Sequence, residues 1–191
     1  MRIGIFGGTF DPPHIGHLVV ATHVRKELGL DQVFLVVAND PWQKSGDREI
    51  TPARHRFRMT ELASLALPGV DASDVEIARG GASYTIDTIE AIVGSGDDPI
   101  LIVGADAAAG LDSWHRSDDL KASVDVVVVG RPGSQGAAPA GWRSRYVEVP
   151  QVDVSSTDLR RRLADGSPVD VLIPQRVIAY IGNVELYTPP M

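Results

Sequence analysis

The opening stretch R-I-G-I-F-G-G-T-F-D-P-P-H-I-G-H, at 2–17, constrains the fold more than any other part of the chain. An apolar run, Ile3 to Phe6, leads into Gly7 and Gly8, and a helical pattern begins near His14 and His17. A strand, a glycine turn and a helix in this order are typical of a parallel α/β sheet. Bare glycines let a ligand approach the backbone, and the free N–H groups of a helix N-terminus attract phosphate. We therefore expect a nucleotide polyphosphate at this turn.

The rest of the chain continues the alternation of strands and helices. The apolar patterns predict strands at 3–6, 33–37, 75–77, 100–103, 124–129 and 146–149. They predict helices from about 14 to 28, 52 to 67, 84 to 93 and 158 to 163, with shorter ones after 104 and 117 and a last one after 174. Thr51 is expected to cap the second helix. We expect an α/β fold with a Rossmann-like, doubly wound parallel sheet, helices on both faces and a small C-terminal helical portion from about 155, in one domain over 1–191.

Charge and composition narrow the class of protein. The formal net charge at pH 7 is −7, so no overall positive field is available to hold a nucleic acid. The chain has no cysteine, which excludes disulfides and thiolate metal sites. No apolar run approaches the roughly 20 residues that span a membrane, and no secretory signal pattern is present. We therefore expect a cytoplasmic protein whose anion site is built from a few placed residues.

His14 and His17 lie three positions apart, which places both rings on one side of the first helical turn. The helix N-terminus disfavours an imidazolium, whereas a bound polyphosphate favours it. Either form of the ring donates a hydrogen bond to a phosphoryl oxygen. Two surface histidines in a turn, or a metal-binding pair, are the alternatives.

Several polar or glycine-bearing segments directly follow predicted strands: 7–9, 39–44, 104–106 and Arg131. Ligands of doubly wound sheets bind beyond the carboxyl ends of the strands, so these segments should collect on one rim. Asp106 is expected to meet a ribose hydroxyl or a metal-bound water, with a helix N-cap as the alternative. Arg131 is expected to meet the bound nucleotide, with a solvated side chain as the alternative. Arg54, Arg56 and Arg58 form a basic helix face that is usually solvated.

A second motif, V-S-S-T-D-L-R at 154–160, lies near the other end of the chain. Ser155, Ser156 and Thr157 can cap a helix with their hydroxyls, and Arg160 follows about one turn later. A simple helix cap is the alternative. The free N–H groups at the start of that helix would also suit a phosphate.

The G-G-T-F-D stretch and the T/H-x-G-H pattern at 14–17 resemble the nucleotidyltransferase superfamily. The segments R-G-G-A-S-Y-T-I-D-T at 79–88 and G-A-D-A-A-A-G-L-D-S-W-H-R at 104–116 resemble, more narrowly, the nicotinate-nucleotide adenylyltransferase family. The resemblance runs from Ile3 to Tyr187 and includes the closing E-L-Y. Lys44 stands in P-W-Q-K where the family has P-P-H-K, so Trp42 and Gln43 depart from the pattern.

The resemblance implies transfer of AMP from ATP to nicotinic acid mononucleotide, giving deamido-NAD and pyrophosphate. It implies catalytic roles for Thr9, His14, His17 and Lys44. Contacts to ATP are implied for Gly7, Gly8, Phe10, Gly16, Gly104, Asp106, Arg131, Ser155, Ser156, Thr157 and Arg160. Contacts to the pyridine nucleotide are implied for Tyr84, Thr85, Trp114 and His115, because amide N–H groups prefer a carboxylate and an aromatic face supports a planar ring.

The resemblance further implies Mg²⁺ bound with ATP, and no metal site made by the protein. Partners would be the two nucleotide substrates, with neither nucleic acid nor membrane, and a homo-oligomer is possible. Two alternatives stay open. The acceptor could be nicotinamide mononucleotide or phosphopantetheine, or the chain could be a non-catalytic nucleotide-binding module.

Overall fold

The computed structural model describes residues 1–41, 50–130 and 136–188. The strands are β1 Arg2–Gly8, β2 Gln32–Val37, β3 Val70–Ser73, β4 Asp98–Gly104, β5 Asp125–Gly130 and β6 Ser144–Glu148. The helices are α1 Ile15–Leu28, α2 Ala53–Ser64, α3 Val75–Arg79, α4 Thr85–Ile92, α5 Ala105–Ala109, α6 Ser117–Ser123, α7 Ser156–Asp165 and α8 Gln175–Asn183. A short 3₁₀ turn spans Leu111–Ser113.

The strands form one sheet in the order β3-β2-β1-β4-β5-β6, and every neighbouring pair is parallel. The order reverses between β1 and β4, so a crevice opens at their carboxyl ends. The expected α/β, Rossmann-like, doubly wound sheet is confirmed.

Both faces of the sheet are covered, which explains the near-continuous apolar strands. In β2, Val33 and Leu35 pack in the same cluster as Val24 of α1. Val36, the residue after Leu35, packs on the other face with Ile86 of α4. Alternate side chains of a strand point to opposite faces, so a strand buried on both sides must be apolar throughout. Each such side chain contributes roughly 1.5–3 kcal/mol by leaving water.

A third cluster joins the C-terminal helices to α2. Leu159 of α7 and Val177 of α8 are buried with Met59 and Ala63 of α2. This contact carries the second sequence motif back to the opening turn. None of the described helices is long and apolar enough to cross a membrane.

Three local predictions are wrong. The strand expected at 75–77 is helix α3, and the edge strand is instead Val70–Ser73, which pairs with β2. The alternation V-E-I resembles a strand locally, but the pairing partner that decides strand identity lies elsewhere. The N-cap position of α2 is Pro52 and not the expected Thr51. The helix expected from 158 is α7, which begins at Ser156, so Ser155 alone is its N-cap.

Candidate active site

A cavity of about 630 Å³ lies at the crevice between the carboxyl ends of β1 and β4. It brings together sequence-predicted residues from several separate parts of the chain: Gly7, Gly8, Thr9, Tyr84, Thr85, Gly104, Asp106, Trp114 and His115. Ala38 and Pro41, which follow β2, complete part of the wall. The described parts of the expected rim, at 7–9, 41, 104 and 106, therefore meet there because parallel strands end on the same edge of the sheet.

The two adjacent glycines lack side chains for different reasons. A Cβ built on Gly7 would meet no described atom within 4 Å, so this position faces open space in the cavity. A Cβ on Gly8 would lie 2.7 Å from Cζ of Phe10, which would force that ring to move. Gly7 thus leaves room for a ligand, whereas Gly8 leaves room for the core.

Phe10 itself is buried in the core, with 1% of its surface exposed. Its backbone has φ +50°, a left-handed conformation that costs a non-glycine residue roughly 1–2 kcal/mol. The ring meets His17 edge-on, with centroids 4.9 Å apart. The burial of the Phe10 ring offsets the cost of this backbone conformation, and its edge contact helps to hold the His17 ring in place. Any nucleotide contact by Phe10 would have to come from its backbone.

His14 and His17 are stacked at the start of α1, with ring centroids 3.7 Å apart. The backbone N–H of His14 donates to Nδ1 of His17 at 3.2 Å, which orients the second ring. Burial lowers the pKa of His14 from 6.5 to about 4, so this ring is neutral at pH 7. Its Nδ1 is buried without a hydrogen-bond partner among the described residues. The ring as a whole lies at the N-terminus of α1, where free N–H groups favour a phosphate.

The second motif lies directly against the first. Oγ of Ser156 donates to the carbonyl of Pro12 at 2.9 Å, and Nη1 of Arg160 donates to the carbonyl of Asp11 at 2.6 Å. A Cβ on Gly16 would lie 3.1 Å from Cγ1 of Val154, so the two segments are in close contact. The N-termini of α1 and α7 therefore adjoin each other.

The remaining residues of that motif bind within α7. Oγ of Ser155 accepts from the backbone N–H of Asp158 at 3.2 Å, the ordinary N-cap bond. Nη2 of Arg160 donates to Oγ1 of Thr157 at 3.1 Å. Arg160 thus spans from its own helix to the turn after β1.

Asp11 and Tyr187 form a contact that the sequence patterns did not predict. Asp11 is 1% exposed, and its Oδ1 accepts from the Tyr187 hydroxyl at 2.7 Å. Burial, followed by the negative charge of Asp11 and this hydrogen bond, raises the pKa of the Tyr187 hydroxyl above its ordinary range. The closing E-L-Y is thus tied to the opening turn.

The opposite end of the cavity is aromatic. Tyr84, which precedes α4, stacks on His115 with ring centroids 4.1 Å apart. Trp114 is half-buried, and it both lines the cavity and packs against the core. The N-terminus of α4, at Thr85, opens onto the same wall.

Glu76 and Thr88 also line this end, and the sequence patterns did not single them out. Both are buried, and Oγ1 of Thr88 donates to Oε1 of Glu76 at 2.6 Å. This bond ties α3 to α4. No local signal marks the pair, because it depends on how the two helices meet.

Arg56 is not on a solvated face, as its basic neighbours had suggested; it is 1% exposed. Its guanidinium donates to four backbone carbonyls, those of Thr9, Ala38, Asn39 and Thr51, at 2.6–3.0 Å. The sequence does carry a signal for this. Arg56 is in helical register with the buried Met59, Thr60 and Ala63.

The alternative role for Asp106, as a helix cap, is wrong because Gly104 is the N-cap of α5. Asp106 is an exposed carboxylate on the cavity wall. Among the residues that the structure describes, no group of three or more His, Asp or Glu side chains is arranged to hold a metal ion. Trp42, Gln43, Lys44 and Arg131 lie outside the described residues.

Comparisons with known proteins agree with this geometry. The cytidylyltransferase-like family model matches residues 5–162. A protein of Bacillus pumilus named probable nicotinate-nucleotide adenylyltransferase is 39% identical over 188 residues, covering 97% of this chain and 98% of its own length. A Nocardioides protein of the same name is 43% identical over 188 residues, covering 95% and 91%.

Solved structures give the same fold. The nicotinic acid mononucleotide adenylyltransferase of Plasmodium falciparum, complexed with NaAD, superposes with a TM-score of 0.75 at 19% identity, covering 97% of each chain. Its complex with APC gives 0.74 at 18% identity, covering 97% and 96%. The chain belongs to the cytidylyltransferase-like family and, within it, to the nicotinate-nucleotide adenylyltransferases.

Proposed function

We propose that this protein transfers AMP from ATP to nicotinic acid mononucleotide, releasing deamido-NAD and pyrophosphate. One observation carries the proposal: a single cavity runs from the glycine turn after β1 to the aromatic wall at Tyr84 and Trp114. Such a cavity can hold a nucleotide and a planar acceptor with their phosphates adjacent. The named relatives, similar over nearly the whole chain, support the same reaction.

In this proposal the triphosphate lies at the adjoining N-termini of α1 and α7. His14, His17 and Thr9 contact the phosphates nearest the reacting atom, together with Lys44. Ser156, Thr157 and Arg160 hold the pyrophosphate end. The short contacts between the two segments, such as that from Ser156 to Pro12, support this arrangement. Two helix N-termini together offer more N–H donors to a polyphosphate than either does alone.

The chemistry requires no covalent intermediate. The acceptor phosphate, ionised at neutral pH, attacks the α-phosphorus in line, and the bond from that phosphorus to the bridging oxygen of pyrophosphate breaks. No general base is needed, because the nucleophile carries no proton that must leave. The protein contributes positioning and charge stabilisation, with the rings of His14 and His17 as hydrogen-bond donors to the phosphoryl oxygens.

The acceptor ring is proposed to stack on Trp114, with its carboxylate toward the N-terminus of α4. The first-turn N–H groups and the helix dipole favour an anion there. A carboxamide, which is neutral and itself a donor, gains less from the same groups. The acid mononucleotide is therefore the preferred acceptor.

A divalent cation, proposed to be Mg²⁺, is expected to accompany ATP and to neutralise part of its phosphate charge. Mg²⁺ prefers oxygen ligands and retains several waters, so the phosphates of ATP and water can supply most of its ligands. The exposed carboxylate of Asp106 on the cavity wall suits a metal-bound water or a ribose hydroxyl. No residue cluster in the described ranges competes for the ion.

The test is pyrophosphate release from ATP with each of three acceptors: nicotinic acid mononucleotide, nicotinamide mononucleotide and phosphopantetheine. We expect the highest kcat/KM with the acid. His17→Ala should lower kcat by about 100-fold or more, the size typical of a lost transition-state donor, while KM for ATP changes little. His23→Ala, nearly two turns further along the same helix and away from its N-terminus, is the matched control.

Preference for the amide or for phosphopantetheine would replace the acceptor. Absence of pyrophosphate with all three would indicate a non-catalytic binding module. Turnover by His17→Ala at the rate of His23→Ala would remove His17 from the mechanism.

A further inference from the structure

We propose that Arg56 is a positioning residue that couples the phosphate end of the cavity to its acceptor end through Asn39. This inference rests on the proposed function for what the two ends bind. The coupling itself follows from the hydrogen bonds of the buried Arg56 and the half-buried Asn39. Arg56 does not line the cavity, so it acts through the turns that it holds.

In the first half of the connection, the guanidinium of Arg56 binds the turn after β1 and the turn after β2. Nη1 of Arg56 donates to the carbonyl of Thr9 at 3.0 Å and to that of Ala38 at 2.6 Å. Nη2 donates to the carbonyl of Asn39 at 3.0 Å. Thr9 follows β1, whereas Ala38 and Asn39 follow β2. One rigid, planar group therefore sets the distance between the turns that end these two neighbouring strands.

The side of the guanidinium that faces its own helix is held as well. Nε of Arg56 donates to the carbonyl of Thr51 at 2.7 Å, just before α2. The side chain cannot rotate without losing several bonds, and a buried guanidinium left without its acceptors is costly. Arg56 therefore behaves as a fixed spacer.

The second half of the connection runs from Asn39 to the acceptor wall. Its backbone N–H donates to Oγ of Ser83 at 3.0 Å, and its Nδ2 donates to the carbonyl of Gly81 at 2.9 Å. An isolated parallel bridge between Asp40 and Ala82 lies beside them. Ser83 immediately precedes the Tyr84 and Thr85 wall.

The physical consequence is alignment of the two substrates. In-line transfer needs the acceptor oxygen and the α-phosphorus in near-attack geometry, and a misplacement of about 1 Å can cost about 100-fold in rate. The phosphate turn and the acceptor turn come from residues more than seventy positions apart, so something must hold them in register. Arg56 and Asn39 supply that link.

Amide hydrogen exchange tests the coupling without relying on activity. Arg56→Lys keeps the positive charge but loses the planar fork. We expect faster exchange at 9–14 and also at 81–85, which Arg56 does not touch, with β5 and β6 unchanged. Asn39→Ala should speed exchange at 81–85 alone. Gln32→Ala is the matched control, because it removes a side-chain amide bond, to Asp71 at 2.7 Å, from the opposite end of β2.

Kinetics supply the second readout, using whichever acceptor the wild-type protein accepts. Asn39→Ala should raise KM for the acceptor about tenfold and leave KM for ATP within twofold. Arg56→Lys should raise both KM values and lower kcat. The double variant should be no worse in acceptor KM than Arg56→Lys alone, because both changes break one path.

Unchanged exchange at 81–85 in Arg56→Lys, or fully additive effects of the two substitutions on acceptor KM, would overturn the proposal. If Arg56→Lys fails to fold, Asn39→Ala decides: exchange and acceptor KM equal to those of Gln32→Ala refute the link. A wild-type protein that releases no pyrophosphate refutes the proposed function, whereas the exchange pattern still decides the coupling.

Discussion

At the scale of the residue, His14 experiences two opposing influences. Burial keeps its ring neutral, with a pKa of about 4, while a polyphosphate at the same place would favour the imidazolium. In the free protein the His14 ring is therefore neutral, and a bound polyphosphate would raise its pKa.

The pH dependence of stability tests this. Unfolded His14 titrates near 6.5 and folded His14 near 4, so between these values the unfolded chain binds more protons. Stability is therefore full above pH 6.5 and falls as the pH is lowered toward 4. We expect His14 to remove about 2 kcal/mol between pH 7 and pH 5. Urea unfolding of the wild type and of His14→Gln at both pH values measures the difference, and equal pH dependence in the two proteins would contradict it.

Trp114 is a second residue whose role can be tested singly, because its side chain both lines the cavity and packs against the core. Trp114→Ala should raise the Kd of nicotinic acid mononucleotide by about tenfold, the order of one lost stacking contact, with ATP affinity near normal. Trp114→Phe, which keeps an aromatic face, should recover much of the loss. Calorimetric titration of each nucleotide separates these outcomes. Equal loss of both affinities would make Trp114 a core residue only.

At the scale of the element, the important contact is between the C-terminal helices and the opening turn. The N-terminus of α7 adjoins that of α1, and Tyr187, beyond α8, donates to the buried carboxylate of Asp11. The backbone carbonyl of Asp11 also accepts a hydrogen bond from Arg160. The turn after β1 is thus held from the far end of the chain, which the local pattern around 2–17 does not reveal.

Removing the Tyr187 hydroxyl tests this tie. Tyr187→Phe keeps the ring but leaves a buried carboxylate oxygen without that donor, so we expect a loss of about 1–3 kcal/mol in stability. KM for ATP should rise several-fold because the turn loosens. Tyr180→Phe is the matched control, since its hydroxyl contacts Nδ1 of His55 at 2.8 Å, away from the turn. If the two variants have the same KM for ATP, the tie serves stability alone.

At the scale of the whole molecule, the strand order decides where the site lies. β1 stands between β2 and β4, so the turn after β1 is flanked by the turns that follow both neighbours. The cavity opens where the order reverses, and its walls come from distant stretches of chain. A net charge of −7 is compatible with anionic substrates because the attraction is local, from helix N-termini and a few placed side chains.

Much of this was predictable, for identifiable reasons. The apolar periodicity and the glycine turn place β1 and the start of α1, and the predicted end of that helix near residue 28 is confirmed, with Gly29 in the left-handed conformation as its C-cap. The strand at 75–77 failed because strand identity depends on a partner, here Val33 with Val70. The roles of individual site residues, including Lys44 and Arg131, stay predictions.

The sequence by itself determined the alternation of strands and helices, the phosphate-binding character of the first turn and the presence of a second motif. These depend on local backbone preferences and short periodicities, which are determined by residues close together in the chain. Only the tertiary structure decided that Arg56 is buried, that Gly8 makes room for Phe10 and that Tyr187 reaches Asp11. Such contacts join residues far apart in the chain, and their geometry exists only after the sheet and its covering helices have packed.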